Sequence, residues 1–303
     1  MHSARIVELF AGPGGLAESA RQLGHHSIGI EHCPDACSTR AAAGHVTIRG
    51  DVRDHAPHMF PSCTALLGGP PCQTFSAAGT GAGRAQLDLV LDLAKRRAAR
   101  ENITADLAGL TDPRTALVLE PLRWALEAAD EHRPYEAIVL EQVPQALPVW
   151  EAYAEILRAE GYGFATGVLR AEEYGAPQTR RRYVKGVPQH AGDPTLLPWA
   201  SMGDVLPHRG EFTVVSNYGT GGDPKNRGRR TSAEPAFTVT GKVSRTRLVD
   251  NDGAELPRLT WAEAGALQGF PADYPWTGGD IGQQIGNAVP VPLGRAILAA
   301  ALA

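Results

Sequence analysis

Arg5–Ala11 is a short apolar run that fits a buried strand, and it leads through Phe10-Ala11-Gly12-Pro13-Gly14-Gly15-Leu16-Ala17 into a helical pattern, Gly14–Leu23, that Gly24 closes. A strand that enters a helix through a glycine turn constrains the rest of the chain. Its next strand has to return parallel to the first, and both faces of the resulting sheet have to be covered. Ser27–Glu31 is that returning strand. Pro34–Ala43 then reads as a helix, Val46–Ile48 as a short strand before Gly50-Asp51, and Ala65–Leu67 as a strand ending in Gly68-Gly69-Pro70-Pro71-Cys72. The expected fold class is α/β, a Rossmann-like catalytic domain whose ligands sit beyond the carboxyl ends of the strands.

The alternation continues with helical patterns at Arg84–Arg100 and Arg114–Glu131, a strand at Tyr135–Leu140, and a helix at Trp150–Glu160 carrying Trp150, Tyr153, Ile156 and Leu157 on one face. From Pro188 to Pro257 it gives way to Gly, Pro, Thr and Arg with short β segments such as Phe212–Val215 and Phe237–Thr240. Residues 188–257 are therefore expected to form a small, mostly β or irregular lobe, inserted in a catalytic domain made of residues 1–187 and 258–303. Thr260, with Glu263 three residues on, caps a helix to Gln268, and Pro290–Leu302 is a final apolar helix.

A net charge of −4 and a pI near 6.2, taken alone, argue against a nucleic-acid partner. The charge is unevenly spread, however. Arg209, Lys225, Arg227, Arg229, Arg230, Lys242, Arg245 and Arg247 crowd between Pro207 and Leu248, opposed only by Glu211, Asp223 and Glu234. A basic segment of this kind is a nucleic-acid face or a solvated loop. Cys33, Cys37, Cys63 and Cys72 form neither a disulfide framework nor a Cys-x-x-Cys pair, and the spacing of His32, Cys33 and Cys37 matches no common zinc site, so free thiols and no metal are expected. No apolar run approaches the roughly 18 residues that suggest a membrane helix, and no signal peptide is visible, so the cytoplasm is the expected location.

The glycine turn presents backbone N–H groups and a positive helix end to a ligand. Gly12-x-Gly14-x-x-Ala17 also fits a dinucleotide fingerprint, and Glu31 could hold a ribose hydroxyl of either NAD or S-adenosylmethionine. Asp51 could accept from an adenine amino group while Val52 packs the ring, or it could simply cap a helix. Cys72 follows two prolines at a strand's end, where a thiol is presented to a cleft as a nucleophile. Glu141 ends another strand, followed by Gln142-Val143-Pro144. In Pro177–Val184, alternation would put Gln178, Arg180 and Arg182 on one strand face.

In this order the motifs resemble the cytosine-5 DNA methyltransferase family over nearly the whole chain. Phe10–Gly15 is similar to the family's Phe-x-Gly-x-Gly-Gly, Pro71-Cys72-Gln73 to its Pro-Cys-Gln loop, Glu141-Gln142-Val143 to its Glu-Asn-Val, and Gln178–Arg182 to its Gln-x-Arg-x-Arg. Arg258-Leu259-Thr260, Leu267–Pro271 and Gln284–Pro290 follow in family order. The resemblance implies a cofactor site of Phe10, Gly12, Gly14, Gly15, Leu16, Glu31, His32, Asp51, Val52, Pro71, Leu117 (after Asp112-x-Arg114), Asn287 and Val289, holding S-adenosylmethionine and releasing S-adenosylhomocysteine. It implies Cys72, Glu141, Arg180 and Arg182 as catalytic residues, and a target-recognition lobe at 188–257. Gln73, Ser76, Gln178, Arg227, Arg229, Arg230, Lys242 and Arg245 are the expected DNA contacts. The expected partner is double-stranded DNA, bound by a monomer that has a restriction endonuclease as a genetic companion.

The sequence departs from the family pattern in three places. Gln142 replaces an asparagine, so support of the Cys72 loop must be remade with a longer amide. Ala266 stands where an arginine is frequent, and Arg84–Arg100 is read as a helix-like insertion that lengthens a mobile loop after Ser76. In the implied chemistry Cys72 adds to carbon 6 of cytosine, protonated Glu141 donates to ring nitrogen 3, Arg182 bonds the ring oxygen and Arg180 holds the loop. Three rival readings stand beside this one: an NAD-dependent oxidoreductase, which leaves Cys72, Glu141 and the arginine pair unexplained; a tRNA cytosine-5 methyltransferase; and a catalytically impaired DNA-binding relative.

Overall fold

The structure is a computed structural model that describes residues 3–75, 80–185, 199–219 and 227–303. Ser76 and Lys225, two of the residues singled out above, lie outside the described residues, as does the start of the expected small lobe at Pro188.

Ile6, Val7 and Leu9 of β1 (Arg5–Leu9) are fully buried, as a strand covered on both faces requires. Around it the described residues form a sheet in the order β3-β2-β1-β4-β5-β7-β6, with β2 His26–Glu31, β3 Val46–Arg49, β4 Ala65–Gly68, β5 Ala137–Gln142, β6 Thr166–Arg170 and β7 Arg181–Lys185. The first five strands pair in parallel; β7 is antiparallel to both of its neighbours. The order reverses between β1 and β4. The loops leaving those two strands therefore diverge and leave a crevice between them, and they are the glycine turn and the Cys72 loop.

Helices α1 (Gly15–Gln22) and α2 (Pro34–Ala42) connect the first three strands. Between β4 and β5 come α3 (Ala82–Ala85), α4 (Leu87–Ala98), α5 (Thr104–Leu107), α6 (Pro113–Ala116) and α7 (Glu120–Asp130), and α8 (Leu147–Ala159) follows β5. The Arg84–Arg100 segment is not an inserted part of a mobile loop. Val90, Leu93 and Ala94 of α4 are fully buried in the same cluster as Trp150 and Tyr153 of α8, so the segment is a wall of the main core. Fully burying three side chains of this kind makes the segment costly to detach, at about 1.5–3 kcal/mol for each of the two larger ones.

The second sheet runs β11-β10-β8-β9, with β8 Thr213–Gly219, β9 Arg227–Thr231, β10 Arg247–Val249 and β11 Glu255–Leu256. The stretch Phe237–Thr240, expected as a strand, is irregular: Val239 N donates to the Gln178 side-chain Oε1 in place of a ladder bond. The short helix α9 (Met202–Val205) precedes this sheet. Its core joins Met202, Phe212, Val214 and Leu248 to Leu259, Ala264, Leu267 and Ile285, so the apolar unit continues past the boundary expected at 257.

The last three residues of that core lie on or beside α10 (Trp261–Ala266) and α11 (Ile281–Asn287). Thr260 and Glu263 form the expected capping box on α10. Helix α12 (Val291–Ala301) returns to the large sheet, where Gly294 packs on Ser19 of α1, whose Oγ donates to Val291 O.

Candidate active site

The crevice is a cavity of about 830 Å³, large enough for a nucleoside-sized ligand with a second ring beside it. Phe10, Gly12, Glu31, His32, Asp51, Val52, Pro71, Leu117 and Asn287 line it, together with Cys72, Gln73, Glu141 and Arg180.

At its glycine end, the turn from β1 brings Gly12 N to donate to Glu31 Oε2 at 2.7 Å, while Cys33 N donates to Oε1 at 2.6 Å. Glu31 is thereby fixed at the end of β2 with its remaining lone pairs toward the cavity. Gly12 has φ +53°, and a Cβ there would meet nothing within 4 Å. The positive φ accounts for glycine, and the open space above it is where a ligand can approach the backbone.

The other glycines serve packing. A Cβ on Gly14 would lie 2.7 Å from Tyr274 Oη and one on Gly15 would lie 2.4 Å from Val289 O. Leu16 and Val289 are buried in the core beside α12. Gly14, Gly15, Leu16 and Val289, expected at the cofactor, are therefore behind the cavity wall. Beneath this turn Arg40, fully buried, reaches Glu8 and Ala11 O, and Tyr274 Oη donates to Pro13 O at 2.6 Å. Burial next to Arg40 holds the His45 imidazole down at about 4.

Asp51 is the cap that one of its two readings expected, and it also faces the cavity. It lines the cavity and also caps the 3-10 turn Val52–Asp54, accepting from Arg53 N at 2.9 Å. Arg53 adds a bidentate guanidinium pair at 2.9 and 2.6 Å, and these hydrogen bonds hold the Asp51 carboxyl below its ordinary range.

At the other end, strand register does the positioning. Gly68 of β4 pairs with Leu140 of β5, so the residues that follow, Gly69 and Glu141, emerge side by side at one sheet edge. The Glu141 Oε2 atom lies only 3.6 Å from where a Gly69 Cβ would stand. Cys72 lies three residues further along the same exit loop, on the same cavity.

The buried Gln142 amide answers the departure from asparagine. Its Nε2 donates to Pro70 O at 2.8 Å and its Oε1 accepts from Val143 N at 2.8 Å, tying the loop that carries Cys72 to the end of β5. After Cys72 the chain is held by Gly83 N donating to Thr74 O and by Arg84 donating to Phe75 O.

Gln178, Arg180 and Arg182 do not share a strand face, because β7 begins at Arg181. Gln178 is fully buried, donating to Leu267 O and Gln268 Oε1 and accepting from Val239 N, which removes it from the expected DNA contacts. Arg180 is 3% exposed. Its Nη1 donates to Val239 O and Gly286 O, both at 3.0 Å, so one guanidinium joins the small lobe and α11 at the cavity wall. Arg182 lies on β7 paired with Leu169, its side chain outside the description.

The profile of the C-5 cytosine-specific DNA methylase family matches residues 4–97 and 208–302. The chain belongs to that family. The matched spans contain the glycine turn, Glu31, Asp51, Cys72 and Asn287; Glu141 and Arg180 lie between them. Among curated relatives, this methylase is 28% identical over 97% of its length to the type II methyltransferase M.NlaX of Neisseria lactamica, covering 94% of that protein. It is 25% identical over 99% of its length to M1.HphI of Haemophilus parahaemolyticus, covering 87%. In fold it is similar to the Spodoptera frugiperda DNMT2 mutant structure, with TM-score 0.68, 14% identity and coverage of 99% of this chain and 100% of the other. For the Schizosaccharomyces pombe Dnmt2 structure the values are 0.62, 16%, 98% and 99%.

In the methylase's small lobe the expected DNA cations divide. Arg229, Lys242 and Arg245 are exposed and Arg227 is half-buried. Arg230 is committed internally, its Nη1 donating to Thr179 Oγ1, Pro235 O and Ala236 O and its guanidinium lying 4.4 Å from the Phe237 ring centroid. It braces the lobe instead of facing a ligand.

Reading the sequence missed Arg53, Gln284 and helix α11. Gln284 donates to Thr277 O and Gly279 O and accepts from Thr39 Oγ1, holding α11 against α2. Its motif was visible, but two glycines in seven residues, Gly282 and Gly286, mask a helical signal. Among the described residues no cluster of metal-ligating side chains occurs and no helix is long and apolar enough to cross a membrane.

Proposed function

We propose that this methylase transfers a methyl group from S-adenosylmethionine to carbon 5 of a cytosine turned out of duplex DNA, with Cys72 as a transient covalent nucleophile. The observation that carries the reading is the β4–β5 register, which sets the Cys72 loop and Glu141 side by side on the same cavity as the glycine turn. The family assignment supports cytosine as the base. The type II methyltransferases among the relatives support DNA as the substrate and a bacterial setting; a cytoplasmic location and a companion endonuclease belong to the same proposal.

Glu31 would hold the ribose hydroxyls, Asp51 and Val52 the adenine, and Phe10, Gly12, His32, Pro71, Leu117 and Asn287 the remaining surface. The bound cofactor supplies an electrophilic methyl group on sulfonium sulfur and leaves as S-adenosylhomocysteine. The Cys72 thiolate forms a bond to carbon 6, and the electron pair displaced toward ring nitrogen 3 is met by a proton from Glu141. Arg182 bonds the ring oxygen by the family resemblance, and Arg180 fixes the wall against which the ring is held. Once carbon 5 has taken the methyl group, the nitrogen-3 proton returns to the Glu141 carboxylate, and loss of the carbon-5 proton to solvent expels Cys72 as its thiolate and restores the aromatic ring.

A base within a duplex is out of reach of this cavity, so unstacking it costs about a few kcal/mol that its contacts in the pocket offset. Exposed Arg229, Lys242 and Arg245, with Arg227, provide phosphate and groove contacts, and Gln73 a contact at the cavity mouth.

The test is trapping. A duplex library carrying 5-fluorocytosine, incubated with the enzyme and methyl donor, should yield a denaturation-resistant adduct mapping to Cys72, and Cys72→Ser should abolish it while retaining S-adenosylhomocysteine binding. Absence of adduct on every duplex, or its formation only with tRNA, overturns the reading.

A further inference from the structure

Arg123, on α7, has a side chain only 16% exposed and uses both edges of its guanidinium. Nε donates to Glu120 Oε2 at 2.7 Å and Nη1 to the Glu127 carboxylate at 3.1 and 2.9 Å. Nη2 leaves the helix altogether and donates to two backbone carbonyls of the turn after β3, Val52 O and His55 O, both at 2.9 Å. Trp124 Nε1 approaches the same Val52 oxygen at 3.4 Å. A helix-surface ion pair alone would have satisfied the two carboxylates. The bonds to the turn are additional, and they need a planar donor with several N–H groups in fixed directions.

The turn they hold is the one that presents Asp51 and Val52 to the cavity. Val52 is 4% exposed, and its outward face is cavity wall. The turn has its own ties, from Asp54 N and His55 Nδ1 to Asp51 O, but these are internal and set only its shape. Gly50 N, donating to Glu31 O, ties its start to β2, and the bonds that tie it to α7 come from Arg123, with Trp124 beside it. The same stretch of chain also carries Leu117, another residue of the cavity wall, just before α7.

We propose that Arg123 is a positioning residue for the cofactor: it registers the adenine-facing turn at the end of β3 against α7, so that Asp51, Val52 and Leu117 form one pre-set surface. The proposal rests on the S-adenosylmethionine reading of the cavity.

Arg123→Gln, Arg123→Lys, Glu127→Gln and Val52→Ala are compared with the parent full-length enzyme by calorimetric titration with S-adenosylhomocysteine and by methyl-transfer kinetics. Arg123→Gln should weaken binding about tenfold and raise KM for S-adenosylmethionine in step, with kcat at saturation within about twofold, as expected for loss of charge-assisted bonds that act only on binding geometry. Lysine, which keeps the charge between the two glutamates and offers fewer directed donors, should fall between and serves as the folded variant if glutamine destabilises the helix. Glu127→Gln, which leaves the turn's bonds in place, should bind as the parent does.

If Val52→Ala weakens S-adenosylhomocysteine while both Arg123 variants bind normally, the cofactor reading stands and the role of Arg123 is overturned. If kcat falls with KM unchanged, the role is likewise overturned. If the parent itself does not bind S-adenosylhomocysteine, both fall together.

Discussion

The large and small sheets place their polar groups in opposite ways. In the large sheet the strand interiors are largely apolar, with buried Glu8 of β1 paired to Arg40, and the polar groups that line the cavity sit where parallel strands end: Glu31 at the end of β2, Asp51 after β3, Cys72 after β4, Glu141 at the end of β5. In the small sheet the polar groups lie along and around the strands, and several cations are engaged inside the lobe. Arg209 binds Glu263, Pro257 O and Arg258 O; Arg230 braces Thr179 and the Pro235–Ala236 backbone; Arg258 reaches Ser244 O. The Arg209 bonds, with those from Thr260 and His208, outweigh the cost of burial and hold the Glu263 carboxyl at about 2. The difference teaches that a strand end forecasts well which polar groups line the cavity, whereas a count of basic residues overstates how many cations are left at the surface.

That contrast can be broken at three places, in descending size of effect. Gln142→Asn shortens the amide that ties Pro70 O to Val143 N. A shift on the order of 1 Å in the Cys72 loop should lower kcat about a hundredfold. Affinity for S-adenosylhomocysteine, held from the other end of the cavity, should stay unchanged; a loss of both in steady-state kinetics and calorimetry would mean the two ends are not separately built.

Gly286→Ala tests the seam between the sheets. Its Cβ would stand 2.2 Å from Gly241 N and 2.4 Å from Thr240 C, backbone atoms of the small lobe. Overpacking of this kind should cost about 1–3 kcal/mol in urea unfolding and weaken DNA binding together with stability. Unchanged stability would show that the seam yields.

The smallest effect separates surface cations from braces. Arg229→Ala and Arg245→Ala should each leave the melting temperature within about a degree or two, weaken DNA binding a few-fold and reduce the slope of log affinity against log salt by about one. Arg230→Ala should instead destabilise the lobe. The reverse pattern, with Arg230 dominating the salt slope, would restore it to the DNA face.

The sequence showed the five parallel strands of the large sheet because they are short, largely apolar runs, with Glu31, Asp51, Cys72 and Glu141 at or just beyond their ends; it did not show β6, Thr166–Arg170, and β7, Arg-Arg-Tyr-Val-Lys, has no such run. It misjudged Gln178 because alternation was assumed where the chain is still irregular and α10 and α11 close over it. It placed Gly14 and Gly15 at the ligand because a glycine motif records that a Cβ is excluded, not which neighbour excludes it. Tyr274 and Val289, more than 250 residues away in sequence, are those neighbours. The four short strands of the small lobe were only partly legible, since β9 is Arg-Gly-Arg-Arg-Thr and owes its conformation to pairing with β8 and not to its own composition.

The bond from Ser19 to the carbonyl of Val291 spans 272 residues, and Asn287 beside it completes a wall begun at Phe10. During synthesis, then, the nascent polypeptide has its glycine turn and its thiol long before it has a container for them. A ribosome-bound chain that stops short of α11 would hold those groups without the side of the cavity that residues 279–287 supply, so the site is assembled only with the last helices instead of growing with length.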